Sequence, residues 1–378
     1  MVRKEWNLLS MIMWSVAGGV SILVFFLVLF QVHFQREVSQ SGPADLVQFV
    51  CDNESSKRAA LFIRYNGEVI ASVNPSVRMP LASTVKIIVA IEYARQAADG
   101  RIDPEQPVSL DALRSFYVPK TDGGAHEAWL SHVQAMYGND SVPLSEVASG
   151  MIAYSSNANT EYLLQLLGIN NVNDVLSLFG LTDHEPVYPL VSTLFVPARL
   201  MTENEWTKKQ TAQRIEQMKL AEYRQCSIDI HEHWPPSHQE IKHMYRMMNM
   251  TFQKLWSDRL PRSTVEEYAT VMAKLNSKSF LSKEVHAYLD PVLEQIMKEP
   301  ANQQWLLHAG KKGGSTAFVL TEAMYATAKD GGRMELAFFS DGLTVLEQAK
   351  LLRALNTFER ELLQNESYRQ KIKDLFSG

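Results

Sequence analysis

Ser83-Thr84-Val85-Lys86 is the stretch of this sequence best suited to chemistry. It stands at the start of a helix-like run, and on a helix residues i and i+3 share a face. The Lys86 amine is therefore within reach of the Ser83 hydroxyl. A serine alone is a weak nucleophile and needs a base beside it. Lysine serves as that base only when partly neutral, a state favoured by burial or by nearby cations. The free N–H groups of a helix start add a donor for a developing oxyanion. A capping serine followed by an exposed lysine gives the same pattern, and average usage predicts about one or two chance matches in a chain this long.

Two further clusters carry complementary chemistry. In Ser155-Ser156-Asn157, Ser155 can relay a proton to a leaving group. The Asn157 amide can hold both the lysine and a substrate carbonyl. A helix cap or turn would use the same residue types. In Lys312-Gly313-Gly314-Ser315, the glycines allow a substrate backbone to lie close to a strand. Lys312 offers positive charge, and the Ser315 N–H is the second oxyanion donor, with the Ser83 N–H as the first. Lys311 adjoins this cluster, so the register is open by one residue, and a β-turn is the competing assignment.

These groups need elements to position them. Apolar runs Ala59 to Tyr65 and Glu68 to Val73 flank Asn66-Gly67, the strongest local hairpin signal. A helix is expected from Ser83 to Ala98, ended by Gly100. Residues 121–142 are rich in Gly, Asp and Asn and are expected to be irregular. Helices are expected from Pro143 to Ala153, from Asn157 to Gly168, and from Val172 to Phe179. Residues 200–258 are polar, Met- and Gln-rich and helix-forming, which marks a helical insertion. Strands are expected at Trp305 to Ala309, Ala317 to Ala328 and Arg333 to Phe339, with a turn at Asp330-Gly331-Gly332. Leu343 to Phe376 is expected as one amphipathic helix, with Leu346, Ala349, Leu352, Leu355, Phe358 and Leu362 on its apolar stripe. Strands at both ends of the soluble part and helices between them imply an α+β fold. One antiparallel sheet is flanked by helices, and an all-helical lobe stands beside it.

Taken in this order, Ser83-Thr84-Val85-Lys86, Ser155-Ser156-Asn157 and Lys312-Gly313-Gly314 resemble the serine β-lactamases of class A and the related penicillin-binding proteins. Met79-Pro80 before the nucleophile and the Asn66-Gly67 hairpin look like the family too. The resemblance covers roughly residues 45–199 and 261–348. It implies a β-lactamase/transpeptidase-like fold with the nucleophile between sheet and helical lobe. It also implies a β-lactam or peptidoglycan-like acyl substrate. The chain departs from the family at three places. Ser156 stands where class A enzymes usually carry Asp, and Gly313 where they carry Thr or Ser. The Glu-x-x-Leu-Asn motif, whose Glu activates the deacylating water, is replaced by Glu185-Pro186-Val187-Tyr188-Pro189. Acyl-enzyme hydrolysis is therefore expected to be slow. Residues 200–258 have no family counterpart.

The remaining features bound the setting. From Asn7 to Phe34 there is no Asp, Glu, Lys or Arg, and Leu8 to Phe30 is long and apolar enough to cross a bilayer. Arg3 and Lys4 before it favour a cytoplasmic N-terminus and an extracytoplasmic catalytic domain; a cleaved signal peptide is the competing reading. The expected organisation is an anchor over 1–35, a linker over 36–44, a serine hydrolase domain over 45–348, and a C-terminal helix over 349–378 packing on the sheet. A net charge of −5 gives no reason to expect nucleic acid. No cofactor and no metal site is expected. His231 and His233 lack a distant further ligand, and Cys51 and Cys226 leave one disulfide open. The expected activity is acyl transfer through Ser83 and Lys86 on a membrane-anchored protein. Two alternatives stand beside it: an esterase or amidase on the same scaffold, and a catalytically silent tethered protein whose insertion binds a protein partner.

Overall fold

The structure, a computed structural model, describes residues 31–119 and 121–376. The expected membrane segment, Leu8 to Phe30, lies outside them. Among the described residues no helix is long and apolar enough to cross a membrane.

Five strands build one antiparallel sheet: β1 (Ala59–Tyr65), β2 (Glu68–Val73), β3 (Leu306–Ser315), β4 (Leu320–Ala328) and β5 (Arg333–Ser340), in the spatial order β2-β1-β5-β4-β3. The chain's two ends thus meet in the middle of the sheet, with Leu61 opposite Phe338. Asn66 and Gly67 both adopt positive φ (49° and 84°), the pairing that a two-residue hairpin of the favoured hand requires. Side chains alternate between two cores. Ala60, Phe62, Tyr325 and Phe339 face the larger one, shared with the helices Lys86–Ala98 and Val265–Asn276. Leu61, Ile63, Met324 and Phe338 face the other, beneath the helices Pro43–Asn53 and Val345–Gln364. Burial on both faces explains why β1, β4 and β5 are rich in apolar residues throughout.

The helical lobe contains Leu144–Ala153, Asn157–Leu167 and Ile169–Phe179. Three expectations need correction. Residues 121–142 are not irregular: Ala125–Tyr137 is a helix between Gly124 (φ 86°) and Gly138 (φ 84°). Its buried residues His126, Trp129 and Val133 fall at helical spacing, which the polar residues around them obscured. The C-terminal segment is two helices, Val345–Gln364 and Glu366–Phe376, parted by extended Asn365. Its buried stripe runs through Leu351, Ala354, Leu355, Phe358 and Leu362, whereas Leu352 is 49 % exposed. The strand expected to end at Ala309 continues to Ser315.

Residues 200–258 are mostly helical, interrupted at Pro235-Pro236. The helices hold their own apolar cluster, which includes Tyr223, Ile230, Met244, Met247 and Phe252. They are fastened to the body at several points. His231 Nδ1 lies 3.2 Å from Glu161 Oε1, Trp234 Nε1 donates to Ser115 O at 2.9 Å, and Trp256 Nε1 donates to Thr193 Oγ1 at 2.9 Å.

Candidate active site

Ser83 sits on a tightly constrained turn. Met79–Pro80 pairs with Arg262–Ser263, and Leu81 N–H donates to Pro261 O at 2.9 Å. One 3-10 turn, Ala82–Val85, then leads into the helix Lys86–Ala98. Ala82 has φ 45°, a conformation that costs a non-glycine residue about 1–3 kcal/mol and persists only where the surroundings impose it. Those surroundings are β3 and β4. A Cβ on Gly314 would lie 2.5 Å from Ser83 N and 2.7 Å from Leu81 O, so the strand touches the turn backbone to backbone. Thr321 Oγ1 donates to Leu81 O at 2.9 Å and lies 2.7 Å from Thr84 Oγ1.

Lys86 is fully buried. Its Nζ donates to Ser155 O at 2.7 Å and to Asn157 Oδ1 at 2.8 Å, and lies 3.3 Å from Ser155 Oγ. Burial first, and the charge of Lys312 second, hold its pKa well below the ordinary lysine value, with Asp122 and Glu161 pulling the other way. A neutral amine has two N–H groups. Two fixed carbonyl oxygens take both, which leaves the lone pair for a hydroxyl. Ser155, at φ 66°, places its Oγ between two lysines, since Lys312 Nζ donates to it at 3.0 Å. Lys312 also donates to Gly313 O at 2.7 Å. Burial lowers its pKa, against the pull of Glu322. The open register on β3 is thereby resolved. Lys312 reaches Ser155, whereas Lys311 turns to Asn356 Oδ1 (2.8 Å) and Glu359 Oε2 (2.9 Å) on the C-terminal helix.

One cavity of about 960 Å³ gathers these groups. Ser83, Ser155, Asn157, Lys312, Gly313, Gly314 and Ser315 all line it. Lys86 bonds to two of them. The arrangement is a half-buried Ser83 hydroxyl on the cavity wall, a second hydroxyl, Ser155, bridging two buried amines, and a strand end with glycines; such a set can exchange an acyl group.

The sequence model of the family described as the Beta-lactamase enzyme family matches residues 50–361. The chain belongs to the β-lactamase enzyme family. No curated protein matches its sequence. Among solved structures, it is similar to a class A β-lactamase representative from Bacteroides cellulosilyticus. There the identity is 14%, with 90% of this chain and 100% of that one covered and a TM-score of 0.50. It is also similar to a β-lactamase from Sphaerobacter thermophilus, at 18% identity, 84% and 96% coverage and a TM-score of 0.53. At such identities the likeness is one of fold.

This β-lactamase-family chain rebuilds the positions where its sequence departs. Ser156 caps the helix Asn157–Leu167. Its Oγ accepts from Asn159 N–H at 3.2 Å and lies 3.0 Å from His126 Nδ1. A Cβ on Gly313 would meet Glu322 Oε2 at 3.0 Å, because Gly313 and Glu322 are opposite each other on β3 and β4. Glu322 therefore crowds the space that a side chain at position 313 would take. Burial raises the Glu322 pKa in spite of Lys311. Glu185 does not line the cavity. Its Oε2 lies 3.0 Å from Arg224 Nη2 and accepts from Arg262 N–H at 3.1 Å.

Three acids escaped the sequence reading. Glu161 is fully buried and accepts from the N–H groups of Val191 and Ser192, both at 3.0 Å, so it anchors the loop below the cleft. Burial would raise its pKa, but bonds from His231 and Ser192 hold it below the ordinary value. Asp122 lines the cavity and accepts from His126 N–H at 3.2 Å through Oδ2, while Oδ1 is buried without a partner. Glu322 is the third, and it and Asp122 are the only acids lining the cavity among the described residues. The Asp122-Gly123-Gly124 turn was the only available signal. The histidines and cysteines singled out in the sequence have other settings. His231 serves Glu161, and the exposed His233 bonds to Asp229 O. Among the described residues no His, Cys, Asp and Glu cluster suits a metal. Cys51 and Cys226 are both free.

Proposed function

We propose that this protein is a membrane-anchored serine hydrolase that forms a covalent acyl-enzyme on Ser83, acting outside the cytoplasm. The observation that carries the reading is the environment of Lys86: it is fully buried, burial and the charge of Lys312 lower its pKa well below the ordinary lysine value, and its Nζ donates to Ser155 O and Asn157 Oδ1. Ser83 Oγ attacks a carbonyl carbon and Lys86 takes its proton. The N–H groups of Ser83 and Ser315 hold the oxyanion. The bond to the leaving group then breaks, and Ser155, in contact with both lysines, passes a proton to it. Lys312 and Asn157 orient the substrate, while Gly313 and Gly314 make room for Glu322 and the Ser83 turn rather than for the substrate.

The substrate class consistent with the family is a β-lactam or a peptidoglycan-like acyl donor. Deacylation is the slow step in this account. Glu185, the acid the sequence offers for the family's hydrolytic base, is engaged by Arg224 and by the Arg262 N–H and does not line the cavity. A second reading, an esterase or amidase on the same scaffold, is favoured by the apolar wall that the insertion adds to the cavity. Incubation with a chromogenic β-lactam separates the two. A lasting, Ser83-dependent adduct with slow colour release supports the β-lactam reading. Rapid turnover of simple esters without any adduct supports the second. Neither reaction, with either substrate, overturns both.

A further inference from the structure

The cavity does not end at the catalytic groups. It continues along the insertion, where Met244, Met247, Met248, Phe252, Leu255 and Trp256 line it. Among the described residues, no Lys, Arg, Asp or Glu of the insertion lines this wall. The helix His238–Met247 shows how the sequence achieves this. Met244 and Met247 are turned inward and buried, while Lys242, Tyr245 and Arg246 on the same helix are exposed. An apolar face on a polar, Gln-rich segment is thus directed at the space that contains Ser83.

The wall also has a definite position relative to the reacting bond. Ser257 Oγ lies 2.7 Å from Thr316 Oγ1, so the insertion abuts β3 just beyond Ser315. Ser155, which serves the leaving group, is held by the Lys312 amine and lines the same cavity. A carbonyl seated at Ser83 and Ser315 has the insertion wall beside it at the end of β3. Methionine is unbranched and adaptable, and suits a flexible partner better than a rigid ring.

We propose that the insertion is an acyl-chain site: the substrate's acyl half carries an unbranched aliphatic chain that lies along Met247, Met248, Phe252 and Trp256. This rests on Ser83 being the nucleophile. The insertion then selects substrates by chain length, and each methylene buried on the way to the transition state raises the acylation rate by about fourfold. Chemically the step is ordinary acyl transfer. The Ser83 Oγ–carbonyl bond forms, the ester bond breaks, and the serine proton leaves on the departing alcohol.

The test uses the full chain in lipid nanodiscs, which keeps detergent out of the cavity. Acetyl, butyryl, hexanoyl and octanoyl p-nitrophenyl esters are compared by acylation burst and by intact mass, with Ser83→Ala subtracted. The expected result is a rate that climbs steadily with chain length, to a hundredfold or more from acetyl to octanoyl. Met248→Glu places a charge on a half-buried wall position and collapses that ratio, while Met248→Leu preserves it; melting curves show that both variants fold. Equal rates for acetyl and octanoyl esters overturn the chain site and leave Ser83 as nucleophile. A chain-length dependence that Met248→Glu does not alter overturns the role of the insertion. Failure of every ester and of a small fluorophosphonate to label Ser83 overturns the nucleophile and the chain site together.

Discussion

Gly314→Ala adds a single methyl group at the point where β3 meets the nucleophile turn. The backbone at Gly314 needs no positive φ, so the substitution acts through space alone. The new Cβ would lie 2.5 Å from Ser83 N, 2.7 Å from Leu81 O and 2.7 Å from Thr321 Oγ1. Ordinary contact begins near 3.4 Å, so the turn and the strand must separate by about 0.9 Å. No neighbour can swing aside. Two of the atoms are backbone, and Thr321 Oγ1 is held by Leu81 O, Gly314 O and Thr84 Oγ1. Overpacking of this kind costs about 1–3 kcal/mol of stability. A displacement near 1 Å costs about a hundredfold in rate. The assay is the rate of Ser83 acylation by a penicillin or a fluorophosphonate, followed by intact mass, beside a melting curve. A folded Gly314→Ala protein that acylates within about threefold of the wild type would refute the claim that β3 sets the position of Ser83.

Lys86→Arg should reduce acylation by about a thousandfold, because guanidinium stays charged and cannot accept the serine proton. In the wild type, acylation should rise with pH through the depressed Lys86 pKa and be established well below the ordinary lysine value, as a pH–rate profile would show. Glu322→Gln should raise the melting temperature by about 2 °C near pH 8 and by much less near pH 5. The sign follows from the raised carboxyl pKa: the folded state binds the proton more tightly, so the wild type loses stability as pH rises through that value. Glu161→Ala removes the acceptor of Val191 and Ser192 N–H. It should destabilise the protein by about 2–4 kcal/mol and open the loop around Val191 to limited proteolysis.

The residues that gather at the candidate site were largely legible in the sequence, because a Ser-x-x-Lys pair at a helix start and a Lys-Gly-Gly strand restrict both residue types and spacing. Ser83 and Lys86 stand one turn apart because they open a helix, and the strand and helix patterns that flank them are strong. The register of Lys311 and Lys312 was not legible, since both faces of β3 accept a lysine. Only the partners distinguish them: Ser155 for Lys312, and Asn356 with Glu359 for Lys311. Glu161 was missed because a carboxylate inside an apolar helix gives no sign that two backbone N–H groups await it from residues 191 and 192. The helix Ala125–Tyr137 was missed because only three of its residues are buried. Composition pointed to helices over 200–258, but not to the face they turn to the cavity, which depends on how they dock against Thr193 and Thr316.

The most direct test of Ser83 as nucleophile is peptide mapping after exposure of the full chain to a penicillin. Trypsin cuts after Arg78 and Lys86, releasing Met79-Pro80-Leu81-Ala82-Ser83-Thr84-Val85-Lys86, whose only hydroxyls belong to Ser83 and Thr84. The account predicts that the added mass lies on this peptide, that fragmentation assigns it to Ser83, and that it disappears in Ser83→Ala. An adduct on another peptide, or one that survives in Ser83→Ala, would contradict the account.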